Sequence, residues 1–161
     1  MSSPILRHLL AVLVFTAGPV LAKEVADPNV VVDTSKLPPI TATTPPGNPY
    51  RGNPVAIEIG HNAFNQACSR CHGVDAVNKG QVGPDLLRLD RACGRIIDPA
   101  VREMCLLDND DFFLKSVQEG KTRVGIVHMP AWREVLSPAA IWTIRSFLES
   151  RSRPAPTNEN R

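Results

Sequence analysis

The fold of this chain is decided by one short stretch, Cys68-Ser69-Arg70-Cys71-His72. Two cysteines three positions apart on a turn of helix point to the same side, so their thiols can form thioether bonds to both vinyl groups of one haem. The histidine that follows then offers its imidazole to the haem iron. A CxxC pair is also found in thioredoxin-like redox sites and in half of a zinc site. The added histidine and the lack of a second CxxC favour covalently attached haem.

The beginning of the chain has the pattern of a secretory signal peptide. Residues 1–22 contain Arg7, an apolar run from Leu9 and the small-residue ending Val20-Leu21-Ala22. The apolar run is shorter than the roughly 20 residues that a membrane span needs, and an uncleaved signal anchor is the alternative. We therefore expect cleavage after about Ala22, export to the periplasm and no membrane span afterwards.

Charge gives no indication of a nucleic-acid partner. The chain of 161 residues has 18 Lys and Arg against 16 Asp and Glu. Removal of the signal peptide takes away Arg7 and no acid, which leaves 17 basic residues against 16 acidic ones. A formal charge of +1 lacks the strong positive field that binds nucleic acid, so this class of partner is excluded.

The four cysteines divide into two pairs. With Cys68 and Cys71 used for haem, Cys93 and Cys105 remain, and an exported chain can keep disulfides. We expect these two to be bonded, two reduced buried thiols being the alternative. The surrounding segment, 87–107, is longer than a minimal haem domain needs, and we interpret it as an insertion on the rim that could recognise a partner.

Residues 23–53 form a proline-rich arm or linker in front of the domain. Prolines at this density preclude helix and favour extended structure. A disordered spacer is the interpretation for the first half of the arm. The stretch Asn48-Pro49-Tyr50-Arg51 is expected to be pinned to the domain, because a lone tyrosine beside a domain tends to find a packing partner.

Helices are predicted throughout the domain, 54–150, and no strand pattern is found. The first helix begins near Pro54 and runs into the haem motif, with Gly60 one turn before an aromatic residue as the place where another helix crosses closely. The last helix has Ser137 as its N-cap and ends in a polar tail, 151–161. Between them, an acidic run is predicted to open a helix and to lie in solvent. This run is Asp108-Asn109-Asp110-Asp111.

Taken in order, these motifs resemble those of class I cytochromes c. The residues that carry the resemblance are Gly60, Phe64, Cys68, Cys71 and His72, then Gly83-Pro84-Asp85-Leu86, then Met129-Pro130 and the terminal helix. The resemblance implies an all-α, small class I cytochrome c fold around one covalent haem c. It implies that the Pro84 carbonyl accepts the Nδ1 proton of His72 and that Met129 is the sixth ligand of the iron. The function it implies is one-electron transfer, not enzyme catalysis.

Two histidines and a second methionine leave alternatives open. His128 precedes Met129 and could replace it as the sixth ligand, whereas His61 is expected to be exposed on the first helix. Met104 is expected to pack within the inserted segment. With an open sixth position, the chain would instead be a peroxidase-like haem enzyme or a gas-binding module.

At the level of the subfamily, the chain is similar to the soluble periplasmic cytochromes c that accept electrons from PQQ-dependent alcohol dehydrogenases. This similarity rests on Asn48-Pro49-Tyr50-Arg51, Ala56-Ile57-Glu58-Ile59-Gly60, Asn65-Gln66 and the extra Cys93 and Cys105. It implies an alcohol dehydrogenase as electron donor, a terminal oxidase as acceptor and a monomeric carrier. The basic residues either ring the haem edge or are scattered over the surface.

Overall fold

The computed structural model describes residues 25–152. The predicted signal peptide, 1–22, and nearly all of the polar tail lie outside the described residues. The helices are α1 (Pro54–Ala67), α2 (Ser69–His72), α3 (Pro99–Glu119) and α4 (Pro138–Arg151), with short 3-10 turns at Val74–Ala76, Leu86–Arg88 and Cys93–Arg95. A hairpin of β1 (Lys121–Arg123) and β2 (Ile126–Met129) lies between α3 and α4. Within this part of the chain, no helix has the length and apolar character needed to cross a membrane.

Helices α1 and α4 cross in close contact at Gly60. A Cβ atom at this position would lie 1.9 Å from the backbone oxygen of Thr143, so only glycine allows the approach. The Phe64 and Phe147 rings pack beside the crossing with centroids 5.5 Å apart. The predicted N-cap of α4 is present, since Ser137 Oγ accepts the N–H of Ala140. The crossing and its cap were readable from the sequence because each depends on one small or polar residue.

An apolar core, which we call the main core cluster, fills the space around this crossing. Its buried members come from the arm, from all the longer helices, from two of the 3-10 turns and from the segment after the hairpin. They are Val30, Ala63, Phe64, Ala76, Leu87, Phe113, Val117, Trp132, Leu136, Ala140, Ile141, Ile144, Phe147 and Leu148.

Helix α3 begins nine residues earlier than predicted. Its N-cap is Asp98, whose Oδ1 accepts the N–H groups of Ala100 and Val101, and Pro99 takes the first helical position. The prediction that Asp108 opens the helix was therefore wrong. The acidic run lies in the middle of α3, where one of its carboxylates has a buried partner described below.

The hairpin corrects the prediction that the domain contains no strand. β1 pairs antiparallel with β2, and Arg123 lies opposite Ile126. Every residue of β1 is exposed, and in β2 only Val127 and Met129 are half-buried. Strands of three and four residues with so little burial leave almost no alternation of apolar and polar residues to detect.

The proline-rich arm packs on the domain from its first described residues. Val30 joins the main core cluster, and Leu37 packs with Tyr50 and Trp142 in a second, smaller cluster. Tyr50 Oη donates a hydrogen bond of 2.7 Å to the carbonyl of Pro38. The expectation of a disordered spacer was wrong for this part of the arm, whereas Tyr50 is held as expected.

A buried ionic group, which we call the Arg145 cluster, lies between α3 and α4. Arg145 is fully buried, and its Nε and Nη2 atoms donate hydrogen bonds of 2.8 Å to Asp110 and Asp90. Burial opposes the positive charge, but these carboxylates and Glu149 raise the pKa of Arg145 above its ordinary value. Asp110 is also fully buried, so the prediction that the acidic run lies in solvent was wrong at this residue.

The arm joins the Arg145 cluster through two residues. Arg51 Nη2 lies 2.6 Å from Asp110 Oδ2 and 2.8 Å from Glu149 Oε1. The backbone N–H of Asn48 donates to Asp110 Oδ2 at 2.9 Å. A single carboxylate of α3 therefore holds both the arm and the last helix, and Asp90 adds the inserted segment to the same assembly.

Candidate haem-binding site

The two thiols of the CxxCH motif lie where α1 passes into α2. Cys68 ends α1 with its N–H donating to the Phe64 carbonyl, and Cys71 follows on α2. Both are half-buried free thiols, and Cys68 packs against the main core cluster. Burial, with a smaller effect from Cys71, raises the pKa of the Cys68 thiol to about 12. The motif therefore presents two free thiols beside the main core cluster.

His72 is held in one orientation by the loop that follows the motif. Its Nδ1 lies 2.9 Å from the carbonyl oxygen of Pro84, and because a carbonyl can only accept, Nδ1 carries the proton. Nε2 is then the nitrogen with a free lone pair. The loop comes close at Gly83, where a Cβ atom would lie 2.7 Å from His72 Nδ1. Glycine before Pro84 is thus a condition for the hydrogen bond.

These donors fit a haem c. The two thiols have no disulfide partner, the imidazole has one nitrogen free for iron, and the surrounding side chains are apolar. A redox-active disulfide would need no such histidine, and no cluster of three or more metal-binding side chains is found among residues 25–152. The chemistry of the set is that of covalent porphyrin attachment with axial coordination by nitrogen.

The two candidate sixth ligands lie on opposite faces of β2. Met129 is half-buried and packs against the main core cluster, which also contacts Cys68. His128 is exposed, because side chains alternate along a strand. Met104 is 57% exposed on α3, so the prediction that it packs inside the inserted segment was wrong.

A polar clasp that the sequence interpretation missed holds the turn after His72. Asp75 lies in the left-handed region with φ 54°, which is uncommon for a residue other than glycine. Asn65 of α1 bonds both its backbone N–H and its carboxylate, at 2.9 and 2.8 Å, and His61 Nε2 lies 2.6 Å from the same carboxylate. These contacts lower the pKa of Asp75, with the Asn65 hydrogen bond first. The spacing of four between His61 and Asn65 was the signal available in the sequence.

The inserted segment is attached at both its ends. Cys93 and Cys105 are bonded, with Cα atoms 5.6 Å apart. Asn109 Nδ2 donates to the Leu89 carbonyl and to Asp90, the residue that binds Arg145. The segment thus belongs to the structural support of α4.

Comparison with known proteins identifies the class. Residues 55–148 match the family model described as cytochrome C oxidase, cbb3-type, subunit III. The chain is 36% identical over 123 residues to cytochrome c550 of Pseudomonas aeruginosa, an alignment that covers 74% of each chain. No solved structure matches the chain significantly. The chain therefore belongs to the class I c-type cytochromes.

Membership of this family establishes the general activity. The chain is a monohaem electron-transfer protein, not an enzyme, and its cofactor is one covalently bound haem c. Its partners are redox proteins. The CxxCH motif at the junction of α1 and α2 lies inside the matched region.

Proposed function

We propose that this cytochrome carries single electrons in the periplasm, as a monomer, from a PQQ-dependent alcohol dehydrogenase to a terminal oxidase. We propose further that Cys68 and Cys71 attach the haem and that His72 and Met129 are its axial ligands. The observation that carries the ligand proposal is the hydrogen bond from His72 Nδ1 to Pro84, which leaves Nε2 for the iron. Met129 is half-buried against the main core cluster whereas His128 is exposed, which supports the thioether as the second ligand.

Bound haem c supplies a reversible one-electron change of its iron. The residues of this chain keep that change free of structural rearrangement. The Pro84 carbonyl would keep the His72 ring in one orientation in both oxidation states. The neutral sulfur of Met129 favours the reduced form and raises the potential compared with a second histidine. If His72 and Met129 both hold the iron, peroxide and gases would find no vacant position on it.

The alcohol-oxidation route is supported by the sequence similarity at the arm and at the extra disulfide. In this chain, Asn48 and Arg51 hold the arm on Asp110, and the Cys93–Cys105 bond closes the segment that carries Asp90. The arm run and the disulfide, two of the similar features, therefore belong to one structural unit around the Arg145 cluster. A shared unit of this kind supports a shared subfamily, and the donor is tested directly below.

The ligand proposal is tested by absorption spectra of the exported protein, oxidised and reduced, with and without carbon monoxide. We expect a low-spin spectrum with the weak far-red band of methionine-ligated ferric iron and no change with carbon monoxide. Met129→Ala should keep the covalent haem, lose the far-red band, lower the potential and bind carbon monoxide. Met104→Ala is the matched control, since this methionine is exposed, and it should behave as the wild type. Carbon monoxide binding to the wild type would mean an open-site haem protein.

The route is tested by mixing the oxidised cytochrome with a PQQ-dependent alcohol dehydrogenase and ethanol. We expect haem reduction that depends on both the enzyme and the alcohol, followed by reoxidation by membranes that contain a terminal oxidase. A PQQ-dependent glucose dehydrogenase serves as the control donor. Equal reduction by both enzymes would contradict an alcohol-specific donor while leaving the carrier function in place.

A further inference from the structure

The turn between β1 and β2 has a residue that its conformation disfavours. Val124 and Gly125 form a two-residue connection in which both φ angles are positive, 50° and 74°. Such hairpin turns favour Asn-Gly or Gly-Gly, and a β-branched side chain is a genuine outlier in the left-handed region. Val124 is 94% exposed, so no packing offsets the strain. Folding does not account for valine here, and strain at an exposed position points to function.

The outer face of the hairpin continues this apolar tip. Ile126 is 63% exposed and lies opposite Arg123, so these two side chains share one face of the ribbon. Val127 and Met129 point to the other face, toward the protein. The hairpin thus turns aliphatic side chains to solvent on one face while its opposite face reaches the proposed ligand.

Positive charge borders the apolar side chains. The stretch from Gly120 to Arg133 contains three basic residues and no acidic residue, in a chain whose charges nearly balance. Lys121 Nζ lies 4.6 Å from the centre of the Phe112 ring, which is itself 56% exposed. We name the set Phe112, Lys121, Arg123, Val124 and Ile126 the hairpin surface. The hairpin surface is therefore complementary to a partner surface that has an apolar centre surrounded by carboxylates.

The base of the hairpin packs closely against the end of α3 and against the residues that follow Met129. A Cβ atom at Gly120 would lie 2.4 Å from the Met129 carbonyl, so the residue that joins α3 to β1 packs without space against the last residue of β2. The N–H of Trp132 donates to the Val117 carbonyl at 2.9 Å just beyond. A protein bound to the hairpin surface would therefore lie at a defined position relative to Met129, because β2 connects the two directly.

We propose that the hairpin surface is the docking site for a redox partner protein that presents a small apolar depression bordered by Asp and Glu side chains. The proposal rests on the proposed function in one respect: if Met129 ligates the iron, a partner bound at the hairpin surface lies close enough to the haem for electron exchange. A protein partner is favoured over a lipid surface because two exposed aliphatic side chains and two cations suit a small, transient interface. Anionic lipid is treated as an outcome of the test.

The decisive variant is Val124→Asn, which removes the apolar tip and installs the favoured Asn-Gly turn. It should fold at least as well as the wild type, so lost function cannot be attributed to lost structure. Ile126→Thr keeps the β-branched shape and removes apolar surface. Ile97→Thr is the matched control, because Ile97 is 93% exposed in the inserted segment. Lys121→Gln with Arg123→Gln tests the charge.

Two partner assays are used, so that the docking surface is tested independently of the donor. One is reduction by the PQQ-dependent alcohol dehydrogenase with ethanol, and the other is oxidation of the reduced cytochrome by respiring membranes. In whichever assay the wild type is active, Val124→Asn and Ile126→Thr should lower kcat/KM by roughly three- to tenfold, as is typical of an interface anchor. The double charge variant should lose a similar factor at low ionic strength and little at high salt. Reduction by ascorbate and the midpoint potential should stay unchanged.

Each other outcome decides against part of the proposal. Wild-type rates for Val124→Asn and Ile126→Thr in both assays would overturn the hairpin surface, and an effect of Ile97→Thr alone would move docking to the inserted segment. Activity in the membrane assay only would contradict the alcohol dehydrogenase while leaving the docking test valid. A wild type inactive in both assays would overturn the route and the docking site together. Val124-dependent binding to anionic phospholipid vesicles, with unchanged enzyme rates, would make the surface a lipid contact instead.

Discussion

The haem-binding site and the Arg145 cluster are both polar sites in a largely apolar protein, but they are assembled differently. The haem motif occupies five consecutive residues, and its hydrogen bonds to the following loop, from His72 to Pro84 and from Gly83 to Cys71, each span 12 positions. In the Arg145 cluster, Asp110 lies 35 positions from Arg145, and Arg51 lies 98 positions from Glu149. The residues of the haem motif are close together in sequence, because attachment of one haem requires two thiols and an imidazole side by side. The Arg145 cluster stabilises the fold and exists only once the chain has folded.

The largest effect that separates the two sites is expected from Cys68→Ala with Cys71→Ala. Without thioether bonds the haem is not retained, and a small domain that needs a large apolar group in its core should be poorly folded. Haem staining of a denaturing gel and far-ultraviolet circular dichroism measure the two losses. Cys93→Ala with Cys105→Ala should retain the stain. A compact haem-free double variant would show that the Arg145 cluster and the core suffice for folding.

The second prediction concerns Asp110→Ala, which removes one of the two carboxylates that accept hydrogen bonds from buried Arg145. Breaking a buried ion pair from one side costs about 3 to 5 kcal/mol in the free energy of unfolding, whereas the iron spectrum should not change. Denaturant unfolding of the haem-containing protein measures the loss. Asp111→Ala is the matched control, because its carboxylate is exposed and pairs with Lys115 on the surface, where solvent screens the salt bridge and its loss should change stability little. Equal losses for the two variants would mean that the buried cluster has no special role.

A smaller effect is expected from Cys93→Ser with Cys105→Ser. Loss of the cross-link should lower the free energy of unfolding by about 2 to 4 kcal/mol, mainly because the unfolded chain gains freedom. The far-red band and the midpoint potential should stay as in the wild type, since the bond supports the segment that reaches Arg145 through Asp90. A shifted potential would instead connect the inserted segment to the haem environment.

The smallest effect is a pH dependence at Asp75. Its folded pKa is lowered below 3.8, chiefly by the Asn65 hydrogen bond, so the contribution to stability is full above that value and is lost as pH falls through the folded pKa. Between about pH 5 and about pH 3, the wild type should therefore lose stability more steeply than Asp75→Asn. Thermal unfolding across this range measures the difference. Asn65→Ala should flatten the profile in the same way, and a profile unchanged in both variants would remove the clasp from the acid response.

Most features that depend on residues close together in the sequence were predicted correctly, and most features that depend on residues far apart in the sequence were not. The N-cap at Ser137 and the α1–α4 crossing at Gly60 were predicted, because a cap acts within three residues and a close crossing requires a missing side chain. The start of α3 was misplaced, because the acidic run around Asp110 imitates a helix beginning. The true start, Asp98-Pro99, carries the same kind of signal, and the burial of Asp110 is what the local pattern does not contain.

The sequence by itself determined the haem motif, the two crossing helices and the family, since each depends on residue types at short, fixed spacings. Only the tertiary structure decided that Asp110 is buried, that the arm packs through Val30 and Tyr50, and that a strained hairpin turns Val124 to solvent. These features depend on which distant groups meet. Burial of a charge such as that of Arg145 is offset by carboxylates that folding brings to it. The same residue type, such as aspartate, can therefore be exposed or buried, depending on whether folding gives it a partner of opposite charge.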